Sequence, residues 1–188
     1  HGYRIPPDGT RDFMSLDLLT DVLSSGQSSR LYRKLVYEMQ IGSEVSAFVD
    51  GREMPGLLYL YAFASESEIE PEALEHALQD VLDDVIANGI TQEELEKALN
   101  KTEARMIASR VTVQGKADQL AHSYVFFGDT SRANTMLEEY RSITLEDVRK
   151  AAEFYLQPSK RSTVVYRMQD EGKLVDASLL SQDPYHRN

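Results

Sequence analysis

The sequence predicts an α+β domain: a two-layer α/β sandwich with a mostly antiparallel sheet and helices packed on one face. Three observations carry this expectation. The apolar periodicity changes along the chain in the order strand, two helices, two strands, several helices, strand. The two middle strands are separated only by turn-rich sequence, Asp50-Gly51 and then Pro55-Gly56, so they pair as a hairpin. The later helices follow one another without intervening strands, which argues against a doubly wound parallel sheet.

The first strand is Gly2-Tyr3-Arg4-Ile5, ended by the turn sequence Pro6-Pro7-Asp8-Gly9. From Asp12 the pattern is helical, with Phe13, Leu16, Leu19 and Leu23 at three- and four-residue steps, and Ser24-Ser25-Gly26 stops it. Ser28 or Ser29 is expected to cap the next helix by accepting an orphan backbone N–H. Leu31, Leu35 and Met39 form the apolar stripe of that helix, with Tyr32 and Val36 beside it, and Gly42 ends it.

Val45, Ala47 and Val49 alternate with Ser46 and Phe48, as in a strand. Leu57 to Ala64 is its partner, with Tyr59, Tyr61 and Phe63 on one face and Leu58, Leu60 and Ala62 on the other. Apolar residues on both faces predict a central strand. Leu74, Leu78, Val81, Leu82 and Val85 then mark an amphipathic helix closed by Asn88-Gly89. Thr91 with Glu94 forms a capping box for the next, whose face carries Leu95, Ala98, Leu99, Thr102 and Met106. A helix over Ala117 to Phe127, a short one containing Met136, Leu137 and Tyr140, and one capped by Thr144 and Asp147 complete the run. Pro158 follows, and Ser162 to Arg167 is expected to be the last strand.

The chain of 188 residues carries a formal net charge of -11, which disfavours nucleic acid as a partner because phosphate binding needs a basic face. Between Glu66 and Glu103 there are twelve Asp/Glu against Lys97 and Lys101, as in a solvated pair of helices. A sharper reading, an acidic wall for basic peptides, predicts salt-sensitive binding. The absence of cysteine removes thiol catalysis, disulfides and Cys-based metal sites. No apolar run approaches the ~20 residues that cross a bilayer. The opening His1-Gly2-Tyr3, without Met or a leader, is expected of a segment excised from a longer protein.

Four histidines are present: His1, His76, His122 and His186. An inverted zinc motif needs His-x-x-Glu-His on a helix, so that two imidazoles one turn apart hold the ion. Here the sequence is Glu72-Ala73-Leu74-Glu75-His76, with Glu72 where the first His would stand. One carboxylate and one imidazole make a poor site without a third ligand, and solvent-facing helix positions explain both residues. His122, among Leu120, Ala121 and Tyr124, reads as a structural histidine. Gly26-Gln27-Ser28-Ser29-Arg30 begins like a nucleophile elbow and fails at Arg30. Residue chemistry alone therefore gives a soluble α+β domain with no recognisable catalytic, cofactor-binding or metal-ligating set.

Several phrases in fixed order add a resemblance. Gly2-Tyr3-Arg4-Ile5-Pro6-Pro7 is followed by Leu16-Asp17-Leu18-Leu19 and Gly26-Gln27-Ser28-Ser29-Arg30-Leu31-Tyr32. Val45-Ser46-Ala47-Phe48, Pro55-Gly56-Leu57-Leu58, Ile90-Thr91-Gln92-Glu93-Glu94-Leu95 and Tyr140-Arg141-Ser142-Ile143-Thr144 then come in order. Together they resemble the C-terminal, non-catalytic domain of insulinase/pitrilysin-family zinc metallopeptidases. The resemblance covers Gly2 to Met168, so residues 1–168 are expected to form one domain of that type and residues 169–188 a tail or interdomain connector.

The resemblance implies the non-catalytic domain of a zinc-dependent metalloendopeptidase, forming part of a peptide-enclosing chamber and an interdomain interface. Zinc would lie in an N-terminal catalytic domain, and a second homologous half or subunit would close over the peptide substrate. In the half opposite the zinc, such domains often contribute an Arg and, seven residues later, a Tyr. Here those positions hold Val36 and Ser43, while Arg33 and Tyr37 lie at other spacings, so no catalytic residue is carried over. That departure fits the half that carries the zinc. It equally fits a second reading, a scaffold or adaptor subunit of the same family without peptidase activity.

Overall fold

The computed structural model describes residues 1–167. Four antiparallel strands form one sheet in the order β2-β3-β1-β4. These are β1 (Gly2–Ile5), β2 (Gly42–Asp50), β3 (Gly56–Ala64) and β4 (Arg161–Ser162). The hairpin is long, with Ser46 opposite Tyr61, Ala47 opposite Leu60 and Phe48 opposite Tyr59. A bulge between Gly42 and Glu44 leaves Ser43 as the extra residue. The β1 strand lies against the other side of β3, with Tyr3 opposite Leu58, so β3 is central, as its two apolar faces predict.

The described residues form six α-helices, α1 (Arg11–Ser24), α2 (Pro71–Asn88), α3 (Gln92–Ser109), α4 (Val113–Phe127), α5 (Arg132–Arg141) and α6 (Leu145–Tyr155), of which α1, α2 and α6 pack on the sheet. Thr10 caps α1 by accepting from the Phe13 N–H. Both expected capping boxes form, Thr91 with Glu94 and Thr144 with Asp147. Gly89, at φ 73°, ends α2 in a backbone region that a side chain would strain. The α1 helix is the centre of the domain: it contacts β2 and also α3 and α6. Leu16, Leu18, Leu19 and Leu23 are therefore fully buried, where a one-sided helix would bury a single stripe. Tyr3, Ile5, Leu58 and Leu60 meet them from the inner face of the sheet.

The structure corrects four local expectations. The segment after Gly26 winds as a π-helix over Tyr32–Glu38, with the Met39 N–H bonded to the Lys34 carbonyl. This wider turn does not return to the same face every four residues. Leu31 and Leu35 stay buried, but Met39 swings out to solvent. Neither Ser28 nor Ser29 caps it: Ser29 Oγ donates to the Gly26 carbonyl, and Ser28 Oγ accepts from Lys97. The α4 helix begins at Val113 rather than Ala117, because Thr112 accepts from the Gly115 N–H.

The last strand is paired only over Arg161–Ser162, against Tyr3 and Gly2, and the residues after Ser162 lie beyond the last pair that β1 forms. The expected tail or connector, residues 169–188, lies outside the described residues. Among the described residues no helix is long and apolar enough to cross a membrane.

Candidate functional site

Glu72 and His76 both stand exposed on the first turns of α2. The neighbour of Glu72 is a cation, Arg167, whose Nη2 lies 3.4 Å away. Among the described residues no three His, Asp or Glu side chains come together as metal ligands, so the residues present do not fit a zinc site. His122 is half-buried on α4, 3.1 Å from Asp8 and stacked on Phe126 at 4.2 Å. It joins α4 to the loop after β1, as a structural histidine does. His1 packs edge-on to Tyr3 at the end of β1.

The positions matched to the family's Arg and Tyr are equally quiet. Val36 is half-buried on the π-helix, and Ser43 occupies the bulge, where its hydroxyl donates to the Ala64 carbonyl at 3.0 Å. Tyr37 points to solvent, and Arg33 is engaged with Glu38 at 3.4 Å. Nothing here presents a polarising donor beside an acid or base.

Charged residues instead tie elements together. Arg30, 16% exposed, makes two parallel bonds to Glu94 at 2.8 and 2.7 Å, reaches Asp84 at 2.9 Å and donates to the Gly89 carbonyl at 3.1 Å. It thereby pins the α2–α3 turn to the start of the π-helical segment. The Arg30 guanidinium, aided by the Thr91 N–H, holds the Glu94 carboxyl down at about 2. Arg11 likewise grips Asp147 at the start of α6 and holds its carboxyl well below the usual carboxylate range. Asp17, half-buried on α1, accepts from the Tyr140 hydroxyl at 2.8 Å and meets Arg105 at 3.2 Å. Burial pushes the Asp17 carboxyl up, and burial together with the Asp17 charge pushes the Tyr140 phenol up. A small pocket between α1 and α3 lies beside Asp21, Lys97 and Lys101, but its 40 Å³ has room for little more than a water molecule or two.

The large surface features are apolar. On the outer face of the sheet, Phe48 stacks on Tyr59 with ring centroids 5.0 Å apart, and Tyr61 meets Phe63 edge-on at 5.5 Å. Phe63 is 57% exposed and Phe48 44%. The Tyr61 hydroxyl donates to Glu44 at 3.1 Å, which holds its ring within the row. A second apolar area gathers where α3 meets α4, with Ile107, Val111, Val113, Leu120 and Tyr124 all exposed. The alternation of Tyr59, Tyr61 and Phe63 marks the aromatic face in the sequence, but it does not say which face the helices cover. The bridging role of Arg30 has no local signature either: it sits behind two serines that resemble helix caps, and its partners are distant in the chain.

The chain matches the family model described as the peptidase M16 inactive domain over residues 2–102. It is 23% identical over 157 residues to an uncharacterized zinc protease of Streptomyces coelicolor, covering 84% of this chain and 34% of that protein. It is 24% identical over 164 residues to the zinc protease PqqE of Helicobacter pylori, covering 87% and 36%. This chain thus spans about a third of the length of these two relatives. A solved structure of the inactive peptidase domain of a protein described as a zinc protease, from Bordetella parapertussis, is 26% identical with a TM-score of 0.76, and the match covers 86% of each chain.

Proposed function

Because this chain belongs to the peptidase M16 inactive-domain family, we propose that it is the non-catalytic domain of a zinc metalloendopeptidase, supplying chamber wall and interdomain contact. Hydrolysis belongs to another part of the parent protein, an N-terminal domain that holds the zinc, with a second homologous half or subunit enclosing the peptide. The described residues contribute surface and no bond-breaking group. Division at residue 168, with 169–188 as a tail or interdomain connector, is part of the same proposal.

One observation carries the reading: the outer sheet face presents Phe48, Tyr59, Tyr61 and Phe63 in a continuous row. Exposed aromatics at this density mark a surface that meets something. Extended peptide suits it, because rings spaced along a strand repeat at the interval of alternate side chains. The apolar area at the α3–α4 junction suits a neighbouring domain of the same protein.

The test uses the 188-residue chain alone. After dialysis against a weak chelator it is expected to hold less than stoichiometric zinc by atomic absorption. It is also expected to leave a flexible fluorogenic peptide uncut with zinc added. Tight zinc binding abolished by Glu72→Gln or His76→Ala would contradict the proposal.

A further inference from the structure

We propose that the groove between the end of β1 and the end of α6 binds the C-terminus of a peptide chain whose last residue is apolar, with Arg4 and Lys160 holding its carboxylate. The groove measures about 540 Å³, within the ~300–1,000 Å³ of small-ligand sites, and has room for the last residue or two of a chain. Its apolar walls are Pro6 and Pro7 from the loop after β1, Pro55 from the hairpin turn, and Phe154 and Tyr155 from the last turn of α6. The prolines are stiff and carry no N–H, so a ligand orders little on entering and leaves no backbone donor unpaired there.

The charges at this groove are the exception in the molecule. The chain carries -11 overall, and its arginines find carboxylates: Arg11, Arg30, Arg52, Arg132, Arg141 and Arg161 all do so within 3.0 Å. Arg4 is exposed, and its guanidinium meets no carboxylate among the described residues. Lys160 is also without one: its ammonium donates to the Phe154 carbonyl and lies over the Phe154 ring at 3.7 Å. Strand register brings the two cations together. Gly2 faces Ser162 and Tyr3 faces Arg161, so the next step sets Lys160 beside Arg4. Like charges on adjacent strands repel, and an anion between them relieves that cost.

The lining selects a single carboxylate next to an apolar group. The Arg4 fork takes both carboxylate oxygens and the Lys160 ammonium adds a point charge, while the rest of the groove is apolar and offers no third cation. A run of acidic residues would therefore lack counter-charges, and Asp12, bonded to the Tyr155 hydroxyl at 3.1 Å, would repel it. A chain terminus carries its carboxylate and its side chain on one residue, which matches two cations set beside an apolar wall. The groove shares no lining residue with the aromatic row of the sheet, so this inference does not depend on the chamber-wall reading.

The experiment is fluorescence anisotropy of the 188-residue chain with fluorescein-labelled Gly-Ser-Ala-Leu-Phe bearing a free C-terminal carboxylate. Saturable binding is expected, with Kd below about 1 mM. The same peptide as its C-terminal amide is expected to bind about tenfold or more weakly, as is Gly-Ser-Ala-Asp-Phe amide, whose carboxylate is on a side chain. Arg4→Gln, Lys160→Gln and Phe154→Ala should each weaken the free-acid peptide by about fivefold or more, with the circular dichroism spectrum unchanged. No saturation, equal binding of the free-acid peptide and its amide, or wild-type affinity in both Arg4→Gln and Lys160→Gln would overturn the proposal. Equal binding of the side-chain carboxylate peptide would overturn the assignment to a chain terminus.

Discussion

Replacing Arg30 with alanine is expected to destabilise the domain by about 2–3 kcal/mol at neutral pH. The mutation removes the paired bonds to Glu94, the contact with Asp84 and the donor to the Gly89 carbonyl. Asp84 is half exposed and contributes little. The Glu94 pair is shielded, and charge-assisted bonds of this kind are worth about 1.5–3 kcal/mol. The loss stays below the roughly 3–5 kcal/mol of a fully orphaned buried charge, because the Thr91 N–H still bonds Glu94 at 2.7 Å.

Acid gives a second handle on the same pair. The Glu94 carboxyl, at about 2 in the fold against an ordinary 4.5, adds stability that is complete above pH 4.5 and is lost as pH falls toward 2. Discounted for solvent screening, that contribution is about 2 kcal/mol. Urea unfolding followed by circular dichroism at neutral pH and near pH 3 measures both effects. The gap between wild type and Arg30→Ala should narrow in acid, with the m-value unchanged. A neutral-pH difference under about 0.5 kcal/mol, or a gap that widens in acid, would refute the reasoning.

Leu35→Ala, at the buried centre of the π-helix, is expected to cost about 2–5 kcal/mol in the same unfolding assay, whereas Met39→Ala should change stability by less than about 1 kcal/mol. Tyr140→Phe deletes the donor to half-buried Asp17 and should cost about 1–3 kcal/mol. Ultraviolet titration of the wild-type protein should show fewer tyrosines ionising in the ordinary range when folded than when unfolded, since the Tyr140 phenol is pushed upward. Phe63→Ser on the open sheet face should leave stability within about 1 kcal/mol of wild type while reducing binding of the dye ANS.

Most of the fold is legible because local chemistry and tertiary demand agree. Thr91 with Glu94 and Thr144 with Asp147 name helix starts in four residues each, and both form. The alternation in β2 and β3 sets which side chains face the core, and Val45, Ala47, Leu58 and Leu60 are buried accordingly. Winding around Leu35 is less legible, because a π-helix and an α-helix share the same apolar residues over so short a span. The strand expected at Ser162 to Arg167 has the right residues, but a strand also needs a partner, which lies on another segment.

The candidate surface is harder to read for a related reason. Tyr59, Tyr61 and Phe63 announce an apolar face, but only the placement of α1, α2 and α6 on the opposite side shows that it is open. Arg30 is visible in the sequence without its role, since its partners Glu94 and Gly89 lie about sixty residues away.

The measurement that bears most directly on the central claim is cleavage by the full-length parent protein carrying Tyr61→Ser and Phe63→Ser in this domain. With a long unstructured peptide, kcat/KM is expected to fall by about tenfold through KM, with kcat for a short peptide unchanged. Wild-type kinetics on the long peptide, or cleavage by the 188-residue chain alone, would contradict the proposal that this domain is a non-catalytic chamber wall.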